Sequence, residues 1–172
     1  MKFEGRGDGT ALEIYNASAG SGKTYTLVKA YLRIALAFPE EWSAILVITF
    51  TRKAAAELKD RIVAKLVELV ERTDPDACDR YLQTLSDEWA RVGVSVRTDQ
   101  LAANAPAVLR RLLFNYDRFQ VSTIDGFVQR VVRSFAHEAG LKAGLSVELD
   151  VERAGGEAVA LLLEGLRDDD PD

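Results

Sequence analysis

Cysteine and histidine each occur once in this 172-residue sequence, and proline only four times. A single cysteine, Cys78, excludes an internal disulfide framework and any multi-cysteine metal site, and it fits a reducing compartment. With no activating neighbours in sequence, Cys78 reads as a packing residue. His137 has no second histidine to share a metal with and follows an apolar helix face, so it reads as a surface or helix-end residue. Long apolar runs are missing too: stretches such as 45–50 and 161–163 are far too short to cross a bilayer. The opening Met1-Lys2-Phe3-Glu4-Gly5 lacks the apolar segment of a signal peptide. These absences point to a cytoplasmic protein with no membrane association.

What is present is the balance of a globular protein, 48% hydrophobic and 28% charged, in a length suited to about one domain. The net charge of −5 is unevenly distributed. Residues 148–172 hold nine acidic and two basic side chains, leaving 18 acidic and 20 basic for the remainder. The acidic end, closing on Asp168-Asp169-Asp170-Pro171-Asp172, reads as a solvated tail. The rest is slightly basic, so charge does not exclude a nucleic-acid partner.

Leu12-Glu13-Ile14-Tyr15 alternates like a short strand and runs into a turn of small residues, 17–22. From Lys23 the pattern is helical, with Leu27, Ala30, Tyr31, Ile34 and Ala35 on one face and Pro39 as the stop. Residues 44–50 are almost continuously apolar, the mark of a strand covered on both faces. Thr51 opens a helix with apolar positions Leu58, Ile62, Leu66 and Leu69, ended by Thr73-Asp74-Pro75-Asp76. Helices over 78–92 and 99–115, a strand over 119–124, a helix over 125–136, an extended piece at 146–149 and a helix over 151–166 complete the pattern. Trp42 and Trp89 stand outside any aromatic cluster and read as packing residues. Alternating strands and helices predict an α/β fold on a parallel sheet, with a helical insertion at about 76–116.

The segment Ala17-Ser18-Ala19-Gly20-Ser21-Gly22-Lys23-Thr24 matches a Walker A phosphate loop, with Ala17 in place of the first glycine. Gly20 and Gly22 let successive N–H groups turn inward on a phosphate, and the following helix adds the positive end of its dipole. Lys23 would reach the β- and γ-phosphates of ATP, and the Thr24 hydroxyl would coordinate Mg²⁺. Tyr25 extends the candidate nucleotide site by one residue. The strand–turn–helix context is the one this motif requires.

Two later segments narrow the reading. Ile45-Leu46-Val47-Ile48-Thr49-Phe50-Thr51-Arg52-Lys53-Ala54-Ala55-Ala56-Glu57-Leu58 resembles the Thr-Phe-Thr motif that follows Walker A in UvrD/RecB/AddA-type superfamily 1 DNA helicases. Val121-Ser122-Thr123-Ile124-Asp125-Gly126-Phe127 resembles their next motif, usually written Thr-Ile-His-Ser-Phe. The resemblance implies a RecA-like P-loop fold, ATP and Mg²⁺ as ligands, and single-stranded or duplex-end DNA as partner. It implies 3′ to 5′ translocation in DNA repair and recombination, and it admits a nuclease partner subunit. Thr49, Thr51, Arg52, Lys53 and Thr123 would face the DNA backbone. Phe50 is either a stacking face for a base or a core residue at a strand end. Thr51 also suits a helix N-cap. For Phe127 the family places the aromatic near DNA, whereas its spacing with Val131 and Val132 suits core burial.

Two positions depart from the family. Asp125 stands where histidine is usual, exchanging a neutral or cationic contact for an anion. The Leu-Asn-x-x-Gln stretch that reads adenine in many relatives is absent before Leu12, leaving Tyr15 and Asn16 as local candidates. The paired carboxylates of ATP hydrolysis are also missing: residues 121–125 end in one acid, and Leu149-Asp150 is a weaker match. The sequence therefore reads as an N-terminal part, with the first RecA-like domain over 1–146 and the start of an inserted helical subdomain over 147–172. Competing readings are a stand-alone small P-loop kinase and a regulatory nucleotide-binding module.

Overall fold

The computed structural model describes residues 4–5, 11–12, 22–135, 155–160 and 162–163. The chain divides into two units, Met1–Ile124 and Asp125–Asp172. The boundary expected near 146 falls outside the described residues, as do Ala17–Ser21, Tyr15, Asn16, His137 and Asp150.

In the first unit, β1 (Glu4–Gly5) pairs antiparallel with β2 (Ala11–Leu12). The one described residue of the strand expected over 12–15, Leu12, thus lies opposite Glu4. Helix α1 (Lys23–Ala37) begins at the predicted residue. Its buried strip is Val28, Tyr31, Leu32, Ala35 and Leu36, rotated from the expected face, and Leu27 is 45% exposed. The rotation follows from its packing, because α1 meets three other helices at once and Leu32 sits at their centre.

Strand β3 (Val47–Thr49) was expected to be covered on both faces, yet Ile48 is 41% and Leu46 42% exposed. The reason is the period of two: Val47 packs against the core and Ile48 alternates to the opposite face. Helix α2 (Arg52–Glu71) buries Leu58, Ile62, Leu66 and Leu69, the predicted stripe, together with Ala55. Arg72 ends it in the left-handed conformation. Asp74 and Pro75 do more than stop α2, because they start α3 (Pro75–Arg91). The Asp74 carboxylate accepts from the N–H of Ala77 at 3.0 Å, and Pro75 occupies the first helical turn, where its missing N–H costs nothing.

Helix α4 (Thr98–Phe114) and β4 (Val121–Thr123) complete the first unit, and α5 (Ile124–Phe135) leads into the second. The pair α3–α4, expected as an insertion, shares one core with α1 and α2. Leu101, Ala105, Val108 and Leu112 of α4 are fully enclosed, as are Leu32, Ile62, Leu66 and Leu85. Each such leucine contributes roughly 1.5–3 kcal/mol by leaving water. Trp42 is 5% exposed, and Cys78 is buried with its S–H donating to the Glu68 carbonyl at 3.5 Å. The result is a mostly helical body around a small parallel sheet, consistent with part of a RecA-like P-loop fold.

In the second unit α5 has no buried residue. Phe127 is half-buried, while Val131 and Val132 are 38% and 42% exposed, so the core placement favoured by its spacing is not realised among the described residues. Residues 155–160 and 162–163 are helical, within the range expected for the last helix.

Candidate nucleotide and nucleic-acid site

The phosphate-loop segment enters the described structure at Gly22, whose φ of 83° and ψ of 20° are left-handed. A Cβ there would meet nothing within 4 Å, so the requirement for glycine is one of backbone conformation rather than space. Gly22 caps α1 through its carbonyl, which accepts from the Thr26 N–H at 2.9 Å and the Thr26 hydroxyl at 3.2 Å. No side-chain cap of this end is found among the described residues, and no acid lies in its first turn. Lys23 is exposed, Thr24 is half-buried, and no ion-pair partner of Lys23 is found among the described residues. A helix start has N–H groups without intrahelical partners, and Lys23 adds a cation unpaired among the described residues, the pairing that attracts an anion.

Tyr25 is turned elsewhere. Its ring meets Tyr81 of α3 edge-on at 6.4 Å between centroids. It also lines an open groove of about 210 Å³ with Val28 and, from α2, Arg61, Ala64, Lys65 and Glu68.

The other two motifs meet through the sheet. β3 and β4 are parallel, with Val47 opposite Val121, Ile48 opposite Ser122 and Thr49 opposite Thr123. Segments some 70 residues apart in sequence therefore end side by side, both threonines at the carboxyl edge. Beyond β3 the chain turns through Phe50 and Thr51. The Thr49 hydroxyl donates to the Thr51 carbonyl at 3.1 Å, and the Thr51 hydroxyl accepts from the Ala54 N–H at 3.1 Å. Thr51 is thus the N-cap of α2. Phe50 is 89% exposed, the most exposed large apolar side chain among the described residues.

Arg52 and Lys53 occupy the first turn of α2, exposed and without a hydrogen-bonded or ionic partner among the described residues. Two cations at the positive end of a 20-residue helix oppose its dipole, and the first turn holds no acid to offset them. Such an arrangement is stabilised when an anion sits against it. Asp125, in the first turn of α5, is exposed and belongs to the second unit.

A charge cluster that the sequence pattern did not reveal lies behind α1. Glu88, the one buried charged residue among those described, is 2.5 Å from Lys29 Nζ and 3.6 Å from Arg33 Nη1. The Arg33 guanidinium stacks over Trp89 at 5.3 Å, and Trp89 Nε1 donates to the Arg33 carbonyl at 3.0 Å. The sequence signal was faint: Lys29 and Arg33 lie one turn apart on α1, but nothing local announces Glu88. Among the described residues no three His, Cys, Asp or Glu side chains gather as a metal site. No helix among them is long and apolar enough to cross a membrane.

Residues 11–168 match the UvrD/REP helicase N-terminal domain. The chain is 34% identical over 141 residues to the RecBCD enzyme subunit RecB of Escherichia coli, covering 74% of this chain and 11% of that protein. It is 33% identical to an ATP-dependent helicase/nuclease subunit of Lactobacillus gasseri, covering 88% of this chain and 11% of that one. For RecB of Haemophilus influenzae the identity is 30%, over 81% of this chain and 12% of the relative. The chain spans about a tenth of the length of these relatives. With most of its length matched, it belongs to the UvrD/REP helicase N-terminal domain family, alongside RecB- and AddA-type helicase–nuclease subunits.

Proposed function

We infer that this chain is the ATP-binding part of a DNA helicase or helicase–nuclease subunit of the RecB/AddA kind. The observation that carries the nucleotide reading is the left-handed Gly22, which delivers Lys23 and Thr24 to the first turn of a helix without a side-chain cap among the described residues. Phosphates would be held by the loop amides from Ala17 to Gly22 and by Lys23. Magnesium would be held by the phosphates and the Thr24 hydroxyl, the economical way for a protein to bind this ion. The carboxyl edge of β3 and β4 supports the DNA reading, with Thr49, Thr51 and Thr123 offering hydroxyls, Arg52 and Lys53 offering charge, and Phe50 offering a ring.

In the whole protein, ATP binding and hydrolysis between two RecA-like domains would drive 3′ to 5′ movement along single-stranded DNA, in repair and recombination, with a nuclease activity on the same or a partner subunit. Residues 1–146 would form the first of those domains, and 147–172 would open an inserted helical subdomain. This chain alone would bind nucleotide and scarcely hydrolyse it. Lys23 and Thr24 serve the ground state, whereas an arginine from a second domain is worth roughly a thousandfold or more in phosphoryl transfer. Calorimetric titration with Mg·ATP tests the reading: binding should be lost in Lys23→Ala, and equal affinity in both proteins would contradict it. Single-turnover hydrolysis that is robust in the unaltered chain and abolished by Asp125→Asn would instead make Asp125 the hydrolytic acid.

A further inference from the structure

The cluster behind α1 has a consequence for the nucleotide site. In the first turn of α1, Lys23 and Tyr25 are exposed, Leu27 is 45% exposed, and no side-chain cap is found among the described residues. Most of the described contacts that bear on the position of Lys23 and Thr24 lie further along the helix. From Val28 onward the contacts are of two kinds. The buried apolar strip supplies adhesion and close packing, and the polar contacts add direction at defined points along the helix. Among the latter are contacts from α3 and α4. Glu88 pairs with Lys29 at 2.5 Å and lies 3.6 Å from Arg33, an ion pair without a hydrogen bond; Trp89 Nε1 donates to the Arg33 carbonyl, and Asn104 Nδ2 donates to the Leu36 carbonyl at 2.8 Å. Arg111 Nη1 donates to the Pro39 carbonyl just past the helix at 2.9 Å. The last turn of α1 has no basic residue of its own, and these donors take its place.

We propose that Glu88 is a positioning residue for the nucleotide site, fixing the rotation and axial register of α1 through Lys29 and Arg33 so that Lys23 and Thr24 stand where phosphates can be met. Lys29 is six residues from Lys23, about 9 Å along a rigid helix, so a shift at the cluster is carried to the loop undiminished. A buried ion pair is a poor source of stability, because desolvation offsets its attraction. Its value here is orientation: the carboxylate meets Lys29 at 2.5 Å and lies 3.6 Å from Arg33, one turn on, so it favours the rotation that keeps both cations on its side. This inference rests on Lys23 and Thr24 being phosphate ligands.

The test is the affinity of the full chain for Mg·ADP, measured beside its unfolding free energy. Glu88→Gln keeps the volume and removes the charge, and should weaken Mg·ADP roughly tenfold in protein that remains folded. Leu69→Ala, a buried position in the last turn of α2, should lower stability and leave the affinity unchanged. Where Glu88→Gln does not fold, Lys29→Met with Glu88→Met restores apolar packing without the directional bonds, and it should fold and still bind Mg·ADP weakly. Unaltered affinity in either folded Glu88 variant overturns the proposal. So does a chain that unfolds in both forms, since the cluster would then do no more than hold the fold. A wild-type chain that binds no Mg·ADP refutes the nucleotide reading itself, whereas binding that is lost in Lys23→Ala and kept in Glu88→Gln refutes only the role of Glu88.

Discussion

Phe50 offers the sharpest separation between packing and binding. A phenylalanine at a strand end is ordinarily a core residue, and replacing one by alanine costs roughly 3–5 kcal/mol. Here the side chain is 89% exposed. An aromatic residue has up to about 200 Å² to bury, so about a tenth of that, some 20 Å², is removed from water. At roughly 25 cal/mol per Å² this contributes about 0.5 kcal/mol, close to the noise of a denaturation experiment. Stacking on a base would be worth roughly 1–3 kcal/mol, about a fivefold to 150-fold change in affinity. Phe50→Ala should therefore leave the urea midpoint almost unchanged and weaken binding of a labelled oligothymidylate, read by fluorescence anisotropy at low salt. A loss of stability above about 2 kcal/mol, or unchanged DNA affinity, would refute the reasoning.

Thr51→Ala removes the cap on the Ala54 N–H and should cost about 1 kcal/mol of stability, while Thr51→Ser should cost much less; equal losses in urea titrations would show that the cap is not the cause. Arg52→Ala with Lys53→Ala should lower DNA affinity and flatten the dependence of log K on log salt by about 1.4 for a single strand, and an unchanged slope would remove both from the contact surface. Tyr31 and Tyr81 carry buried hydroxyls without a hydrogen-bond partner among the described residues, and burial raises both phenols well above the ordinary tyrosine value. Their folded pKa lies above the unfolded one, so this stability is intact below about pH 10 and falls as alkali ionises the unfolded chain. Tyr31→Phe and Tyr81→Phe should be neutral or stabilising at pH 7 and should flatten that alkaline decline in thermal melts.

Local chemistry was legible in the sequence wherever one residue decided the outcome. The start of α1 at Lys23, the stripe Leu58–Ile62–Leu66–Leu69 and the cap at Thr51 all depend on neighbours within a turn, and all stand where spacing puts them. Partners chosen across the fold were not legible. The rotated face of α1 and the exposure of Ile48 depend on which helices cover which side, a tertiary property. Pro75 read as a stop because the helix it opens was placed three residues later. In the candidate site, the resemblance anticipated that residues 49–53 and 123 act together, and the parallel register of β3 and β4 puts Thr49 beside Thr123. The Glu88 cluster was invisible because its partners lie on α1, some 55 residues earlier, and a lone glutamate on an amphipathic helix looks like any solvated one.

On the proposed function, this chain would grip phosphate at the start of α1. Backbone amide chemical shifts of the isotopically labelled chain, followed as Mg·ADP is added, test it most directly, because each N–H reports on its own environment. The account predicts that the largest shifts fall on Gly20 to Thr24, saturate with one nucleotide per chain, and vanish in Lys23→Ala. Shifts centred on any other segment, or a response at Gly20 to Thr24 that survives Lys23→Ala unchanged, would contradict it.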